Sequence, residues 1–452
     1  MPEEQNAQTV LETAKKTPIV ESADVVVCGG GPAGTAAAIS AARSGARVRL
    51  LENHGCLGGI WTSGQLSWMI DSYAKTGIMK EIVGTLISRG AAAYARNNSV
   101  MCDTEELKLL LDELVIEAGV KVQLHTRVVA AVTDESGRVR YVVTESKSGR
   151  QAWSADVFVD ATGDGDLSAF AGSGYDIGDP ETGEVQPMSM IALLGGLDPD
   201  EAVLFNNRLE YSDGTPKPKQ RLRAEIERAG LDPSYTMPAL FHMRDDLFIM
   251  MANHEYGVSA LDAQAISDAT FRARGEVHRI VSGLRSLGGV WRNIRVVATA
   301  EQIGVREARR VRGLYTVSRD DLIAGTRHDD AVCRVTFGFD VHSPDPGQSR
   351  DGRRSKIPAK PYDIPLRSLI VRDVKALLVA GRCISGDFWA HSSYRVTGDA
   401  VELGQAAGVA AAVAARERTS THDLSWAAVK PELEKVRVEA TARTPEAVAV
   451  SR

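Results

Sequence analysis

DVVVCGGGPAGTAAAISAARSGARVRLLE, residues 24–52, lays out strand, turn, helix and strand in the order that holds a dinucleotide pyrophosphate. Residues 25–28 read as a buried strand, and Gly29, Gly31 and Gly34 supply a G-x-G-x-x-G turn. The first glycine permits the sharp bend, the second lets the backbone approach the phosphates, and the third lets the helix pack closely on the strand. The anion is expected on the N-terminus of a helix that takes in Ala33 and residues 36–42. Residues 47–51 form the next strand, and Glu52 at its end can accept the hydrogen bonds of a ribose hydroxyl while disfavouring a 2′-phosphate.

At 452 residues and 44% hydrophobic, the chain can bury a large core and is expected to divide into two or three domains. A net charge of -6 argues against a nucleic-acid surface, and the basic run Arg353, Arg354, Lys356 reads as a solvated loop. The polar, acidic tail 1–22 lacks the basic start and apolar stretch of a secretory signal. Five scattered cysteines form no C-x-x-C pair, so no metal site or disulfide framework is expected, and reduced thiols fit a cytoplasmic location. The Ala-rich run 406–415 is far shorter than the roughly 20 residues of a membrane span and reads as a core helix.

Further along, helices are expected over 77–96 and 103–118, the second capped by Asp103. Strand patterns follow at 120–125, 128–133 and 139–145. The chain returns to the buried sheet at 157–160 and reads ATGDGDLSAFAG, a second glycine-bearing turn at the carboxyl end of a strand, where open α/β sheets bind ligands. From about 187 to 291 Pro and Asp become frequent, and residues 262–287 form a long polar helix. Another buried strand, 376–379, leads through Gly381 and Arg382 to a helix beginning near Gly398. The expected division is thus a tail (1–22), a nucleotide domain built from 23–186 and 292–418, an inserted substrate or cap domain (187–291) and a C-terminal segment (419–452).

GGGPAGTAAAISAARSGARVRLLE, GCLGGIWTSG, VDATGDGDLSAFAG, PMSMIALLGGLD, EQIGVREARR and YDIPLRSLIVRDVKALLVAGRCIS together resemble the FAD-dependent oxidoreductases related to the succinate dehydrogenase and fumarate reductase flavoproteins. The resemblance spans about 23–418 and implies an α/β fold: a glutathione-reductase-type, FAD-binding Rossmann domain with an inserted substrate/cap domain. It also implies that Gly58, Gly59 and Thr62 lie along the ribityl and pyrophosphate, and that Val128 meets the adenine through its backbone. Thr162, Gly163, Asp164, Gly381, Arg382, Thr397, Gly398 and Asp399 are expected to border the cofactor.

In WAHSSYRVTGDAVELGQAAG, residues 389–408, His391 and Arg395 repeat the His-x-x-x-Arg spacing with which dicarboxylate-processing relatives grip a carboxylate near the flavin. A guanidinium fork suits a planar carboxylate, and histidine can donate a hydrogen bond or relay a proton. The bland reading is that both brace a loop or touch the cofactor. The helix that follows resembles the one facing the flavin pyrimidine edge, where about 1–2 kcal/mol of stabilisation would raise a two-electron potential by roughly 20–45 mV. Asp399 is a departure from the family pattern, and an ionised carboxylate aimed at the flavin would offset that tuning. Trp61, Trp389 and Tyr394 read either as an aromatic wall over a flat or apolar substrate or as core. His242, Arg244, His254 and Tyr256 are candidates to reach down from the insertion. His54 and Cys56 are not expected to link the flavin covalently.

No redox cysteine pair and no second strand-plus-glycine fingerprint is present, so electrons must pass through the substrate, a diffusible donor or acceptor, or a partner protein. The expected activity is a dehydrogenase or reductase that exchanges a hydride between a small organic substrate and flavin N5, with His391 and Arg395 at the chemistry. The alternatives are a flavin-dependent monooxygenase and a non-catalytic, flavin-holding electron-transfer subunit. A homo-oligomer is compatible with the sequence.

Overall fold

Val25, Val26, Val27 and Cys28 are almost wholly buried because they end a strand, Ile19–Cys28, at the centre of a seven-stranded mixed sheet. The computed structural model describes residues 10–12, 14–96, 98–208, 216–345 and 358–445; the basic run at 353–356 lies outside them. Ile19–Cys28 pairs in parallel with Val48–Leu51 on one side and Gly149–Asp160 on the other. Lys121–Gln123 extends the parallel side beyond Val48–Leu51. The long strand Gly149–Asp160 divides its pairing. Its first half forms an antiparallel hairpin with Val139–Ser146, which pairs in turn with Arg127–Thr133, while its last residues accept Leu377–Val379 in parallel.

Helix Pro32–Arg43 leaves the first strand with proline in its opening turn and packs against the late helix Thr397–Glu417. Their backbones meet so closely that a Cβ on Gly404 would lie 2.0 Å from the Ala33 carbonyl oxygen, and one on Gly408 2.1 Å from that of Ala37. The Ala/Gly composition of the last helix is thus a packing requirement. Asp103 caps helix Thr104–Glu117 by accepting from the Glu105 and Glu106 amides.

The helix expected over 77–96 is shorter. It spans Ile78–Ser88, the chain turns at Gly90 (φ 69°), and Ala92–Ala95 becomes a strand paired with Ser99–Cys102. That pairing, a tertiary contact, overrides the helical pattern of an Ala-rich run.

A second layer is an antiparallel sheet in the order Ala239–Arg244, Leu247–Met251, Ile191–Gly195, Arg295–Thr299, and its fourth strand lies beyond the 187–291 span. Helix Ala263–Ser286, capped by Asp262, turns Ala269, Ala273, Val277, Ile280, Val281 and Leu284 onto this sheet, a 3–4 residue repeat matching one helix face. Trp68 and Phe241, 4.6 Å apart, help join this layer to the small sheet that contains Ala92–Ala95. Among the described residues no helix is long and apolar enough to cross a membrane.

Candidate active site

The carboxyl ends of Ile19–Cys28 and Gly149–Asp160 open onto a cavity of about 640 Å³ between the main sheet and the second layer. Gly29 (φ 98°) ties the two glycine turns together, since a Cβ there would stand 2.4 Å from the Ala161 carbonyl oxygen. A Cβ on Gly34 would stand 1.7 Å from the Gly29 carbonyl oxygen, so helix and turn could not meet. Gly31 is different: nothing lies within 4 Å of its would-be Cβ, and it lines the cavity. No side chain caps the helix it begins, leaving amide donors for an anion.

Glu52 also lines the cavity and accepts from the Gly30 amide at 2.5 Å and the His54 amide at 2.6 Å. Val128 and Thr126 stand at the same end. The second glycine turn is fastened by buried Asp160, which accepts from the amides and hydroxyls of Thr162 and Ser168 at 2.7–3.1 Å. Thr162, Gly163 and Asp164 line the cavity, and Asp164 pairs with Arg382, whose other guanidinium nitrogen donates to the Val305 carbonyl at 2.8 Å. Burial pushes the Asp164 carboxyl up and Arg382 opposes the shift.

Ala33, Gly59, Gly381, Arg382, Arg395 and Thr397 also line this cavity. Gly34, Gly58, Thr62, Gly398 and Asp399 lie behind its wall. Thr62 donates to the Leu57 carbonyl at 2.6 Å, and Gly398 packs on the Asp71 backbone. The carboxylate of Asp399 is held at 2.6 Å by Lys75, which also reaches Asp71 and Glu402. It therefore points away from the mouth of helix Thr397–Glu417, whose first turn has no side-chain cap and whose Thr397 hydroxyl is buried without a partner.

His391, Trp61, Trp389 and Tyr394 are not on the cavity wall. His391 and Trp61 are fully buried; Tyr394 donates to the Ile384 carbonyl at 3.1 Å; half-buried Trp389 meets Phe388, Phe339 and Arg319. Burial, with Arg310, Arg395 and Arg382 nearby, holds His391 neutral. His54 lines the cavity, whereas Cys56 sits 3.6 Å from the hydroxyls of Thr62 and Ser63. His242 is occupied by the Asp245 carbonyl and Arg244 by Asp103.

Two cavity residues were missed in the sequence. Arg306 enters from the second layer, held by the Pro187 carbonyl (2.5 Å) and the Ser189 hydroxyl (2.9 Å), and Asp340 enters from the loop after strand Ala331–Val335. The Arg395 guanidinium donates to the Asp340 carbonyl at 2.9 Å, with the carboxylate at 3.5 Å. Burial and Arg395 together bring Arg306 down to about 10, still charged at neutral pH. Arg306 lay within EQIGVREARR, a segment that already stood out; nothing in the sequence singled out Asp340.

Behind Asp340 stand His342, His254 and Tyr235, with His254 stacked on Tyr235 at 4.1 Å. Burial and Arg306 push His342 down to about 4, below the ordinary 6.5. The unfolded chain therefore binds more protons, so this stability is complete above pH 6.5 and lost as pH falls through 4. Between pH 7 and 4 the wild type should lose roughly 2–3 kcal/mol relative to His342→Gln in urea unfolding. Parallel pH profiles would refute this.

A pyrophosphate cradle at two strand ends, an acid at a third and an uncapped late helix define a dinucleotide-binding α/β protein. The chain belongs to the FAD dependent oxidoreductase family, whose pattern it matches over residues 24–433, and its cofactor is FAD. The open side of Gly31 and the orphaned Thr397 hydroxyl fit such a group.

Among solved structures, p-nitrophenol 4-monooxygenase PnpA from Pseudomonas putida DLL-E4 is 12% identical, covering 94% of this chain and 89% of its own, with TM-score 0.49. A geranylgeranyl bacteriochlorophyll reductase-like protein from Thermoplasma acidophilum is 12% identical over 94% and 84%, with TM-score 0.45. The flavin-dependent brominase Bmp2 is 13% identical over 93% and 84%, with TM-score 0.47. No curated protein matches the sequence.

Proposed function

We propose that the protein is a dehydrogenase or reductase that exchanges a hydride between a small anionic substrate and flavin N5. The observation that supports it is the arrival of two guanidinium groups, Arg306 and Arg395, in the cavity that also carries the glycine turn. FAD supplies the redox chemistry when bound. The chain's own contribution is orientation and exclusion of water: the two arginines come from different layers, so a carboxylate between them is held in one pose. Asp340, on the cavity wall with His342 behind it at 3.4 Å, is the group we assign to take up the proton that the substrate loses alongside the hydride. We assign His391 to packing under Arg395 rather than to the chemistry. Within the family we place the FAD-binding part at 23–186 and 307–418, of the glutathione-reductase type, and the substrate layer at 187–306, since Val305 still packs against the second hydrophobic core and Arg306 is held by Pro187 and Ser189.

Anaerobic bleaching of the bound flavin by a panel of metabolites tests this reading, with reduction by carboxylate-bearing compounds expected. Failure of every compound, together with NAD(P)H-driven oxygen consumption, would favour a monooxygenase. Arg395→Ala should cut kcat/KM about 100-fold, about 2.7 kcal/mol of transition-state binding, with FAD retained. Arg395→Lys should recover little, because an ammonium cannot form the fork. Loss of flavin in both variants would reassign Arg395 to the cofactor.

A further inference from the structure

Strand alternation gives the second layer two different faces. Ala192 and Leu194, with Phe248 and Met250 of the neighbouring strand, turn towards helix Ala263–Ser286 and fill the core beneath it. On the opposite face Ile191 and Ile249, with Met251 packed on them, form a separate apolar cluster that includes Trp68. Ile191 and Met251 stand directly opposite each other across the two strands, and both line the cavity, as Trp68 does. Where these strands roof the cavity, its surface is therefore hydrocarbon.

Arg306 stands at the edge of this face. Ser189, whose hydroxyl accepts from it at 2.9 Å, lies two residues before Ile191 and also lines the cavity, so roughly 6–7 Å of extended chain separates the guanidinium contact from the apolar pair. Among the described residues of the 187–306 layer, Arg306 is the only charged one on the cavity wall. The main-sheet side supplies its other cations at different places. Arg382 and Arg309 pair with Asp164 and Asp166 at the second glycine turn, and Arg127 follows Thr126, whose amide donates to the Glu52 carbonyl at 2.8 Å.

We infer that the substrate is an amphipathic acid, its carboxylate on Arg306 and its hydrocarbon chain or ring laid along the Ile191–Met251 pair. This rests on the anionic-substrate reading above and adds the chemistry of the rest of the molecule. Hydrocarbon placed on that face releases water from both surfaces, which is worth about threefold to fourfold in affinity per methylene. A hydroxyl or amide there would give up its water without a partner, so a polar chain of equal length gains nothing. Ile191 and Met251 are in this sense specificity-determining residues: they select for the part of the substrate that the arginines do not read.

The test titrates FAD-loaded protein with acetate, butanoate and hexanoate and reads the visible difference spectrum of the flavin. Hexanoate should bind about 30-fold or more tightly than acetate, with butanoate between them. Met251→Gln, similar in size but polar, should weaken hexanoate by about fivefold or more and leave acetate nearly unchanged. Ile191→Thr should act in the same direction, and it is read in place of Met251→Gln if that variant does not retain flavin. Affinity independent of chain length, or a hexanoate preference unmoved by either variant, overturns the inference and leaves the anion site standing. A flat series in which Met251→Gln weakens FAD itself assigns the apolar face to the cofactor and also overturns it. If no acid perturbs the spectrum, or if neither Arg306→Ala nor Arg395→Ala diminishes the perturbation, the anionic reading falls and the inference falls with it.

Discussion

Gly31→Val should give a folded protein that does not hold FAD. Gly31 has ordinary extended backbone angles (φ -68°, ψ -173°), and an added Cβ there has nothing within 4 Å, so the backbone and the first side-chain atom of valine are accommodated. The space it fills is the cavity itself, over the amides at the start of helix Pro32–Arg43. Displacing the pyrophosphate from two charge-assisted hydrogen bonds of about 1.5–3 kcal/mol each should weaken FAD by roughly 10²–10⁴-fold. The 450/280 nm absorbance ratio and isothermal titration of FAD into apoprotein measure this, with the apoprotein melting temperature as the control for folding. Undiminished flavin affinity would show that the pyrophosphate lies elsewhere. Gly34→Ala offers no such separation, because its Cβ would collide with the turn and damage fold and binding together.

The second large effect concerns Lys75, which is buried among Asp71, Asp399 and Glu402. Burial alone would lower its pKa, but the three carboxylates and Cys333 outweigh burial and keep it firmly charged. Burial raises Asp399 well above the usual carboxylate range despite Lys75, and the charge on Asp71 adds to the shift. Burial opposes ionisation of Asp71 too, yet Lys75 and Thr336 hold its value below the ordinary one. Of the two carboxyls sharing this cation, Asp71 is thus the more readily ionised and Asp399 the less. Lys75→Met should cost about 3–5 kcal/mol at pH 7, because the acids lose their buried cation. Carboxyl groups whose folded pKa is raised give stability that is present at low pH and lost as pH rises through that value. The variant should thus recover towards pH 5, and adding Asp399→Asn should recover part of the loss at pH 7. Urea midpoints across this range decide it; a loss under about 1 kcal/mol would mean the cluster is solvated.

The parts of this fold that follow from local chemistry could be read directly. The glycine turn, the acid at the end of the second strand, the Asp103 cap and the second turn after Asp160 each depend on neighbours within about a dozen residues. The conversion of Ala92–Ala95 from expected helix to strand is a hairpin with Ser99–Cys102 that is fixed by Trp68–Met69, about 30 residues upstream, on the far side of Ser99–Cys102. The site divides in the same way. Gly31 was marked by the glycine spacing and Thr162 by the family resemblance, and both line the cavity, whereas Arg306 and Asp340 reach it from different layers. The His391–Arg395 spacing was misleading for a physical reason: the two are one turn apart on the same helix face, and only the long Arg395 side chain, at the helix end, reaches the cavity, while the short His391 ring stays fully buried. Of the aromatic residues near the motifs, Trp61 and Tyr394 are fully enclosed and Trp389 is half-buried off the cavity wall.

The close seating of Thr397–Glu417 on Pro32–Arg43 also bears on biosynthesis. The phosphate-cradling turn is translated first, and the helix that seals it arrives about 350 residues later. At ribosomal speeds this is a delay of roughly 20–70 s. Throughout that interval an emerging polypeptide holds half a nucleotide pocket with its alanine face open to water. Flavin loading is thereby deferred until Thr397–Glu417 has emerged, and chaperones have an apolar groove to shield in the meantime.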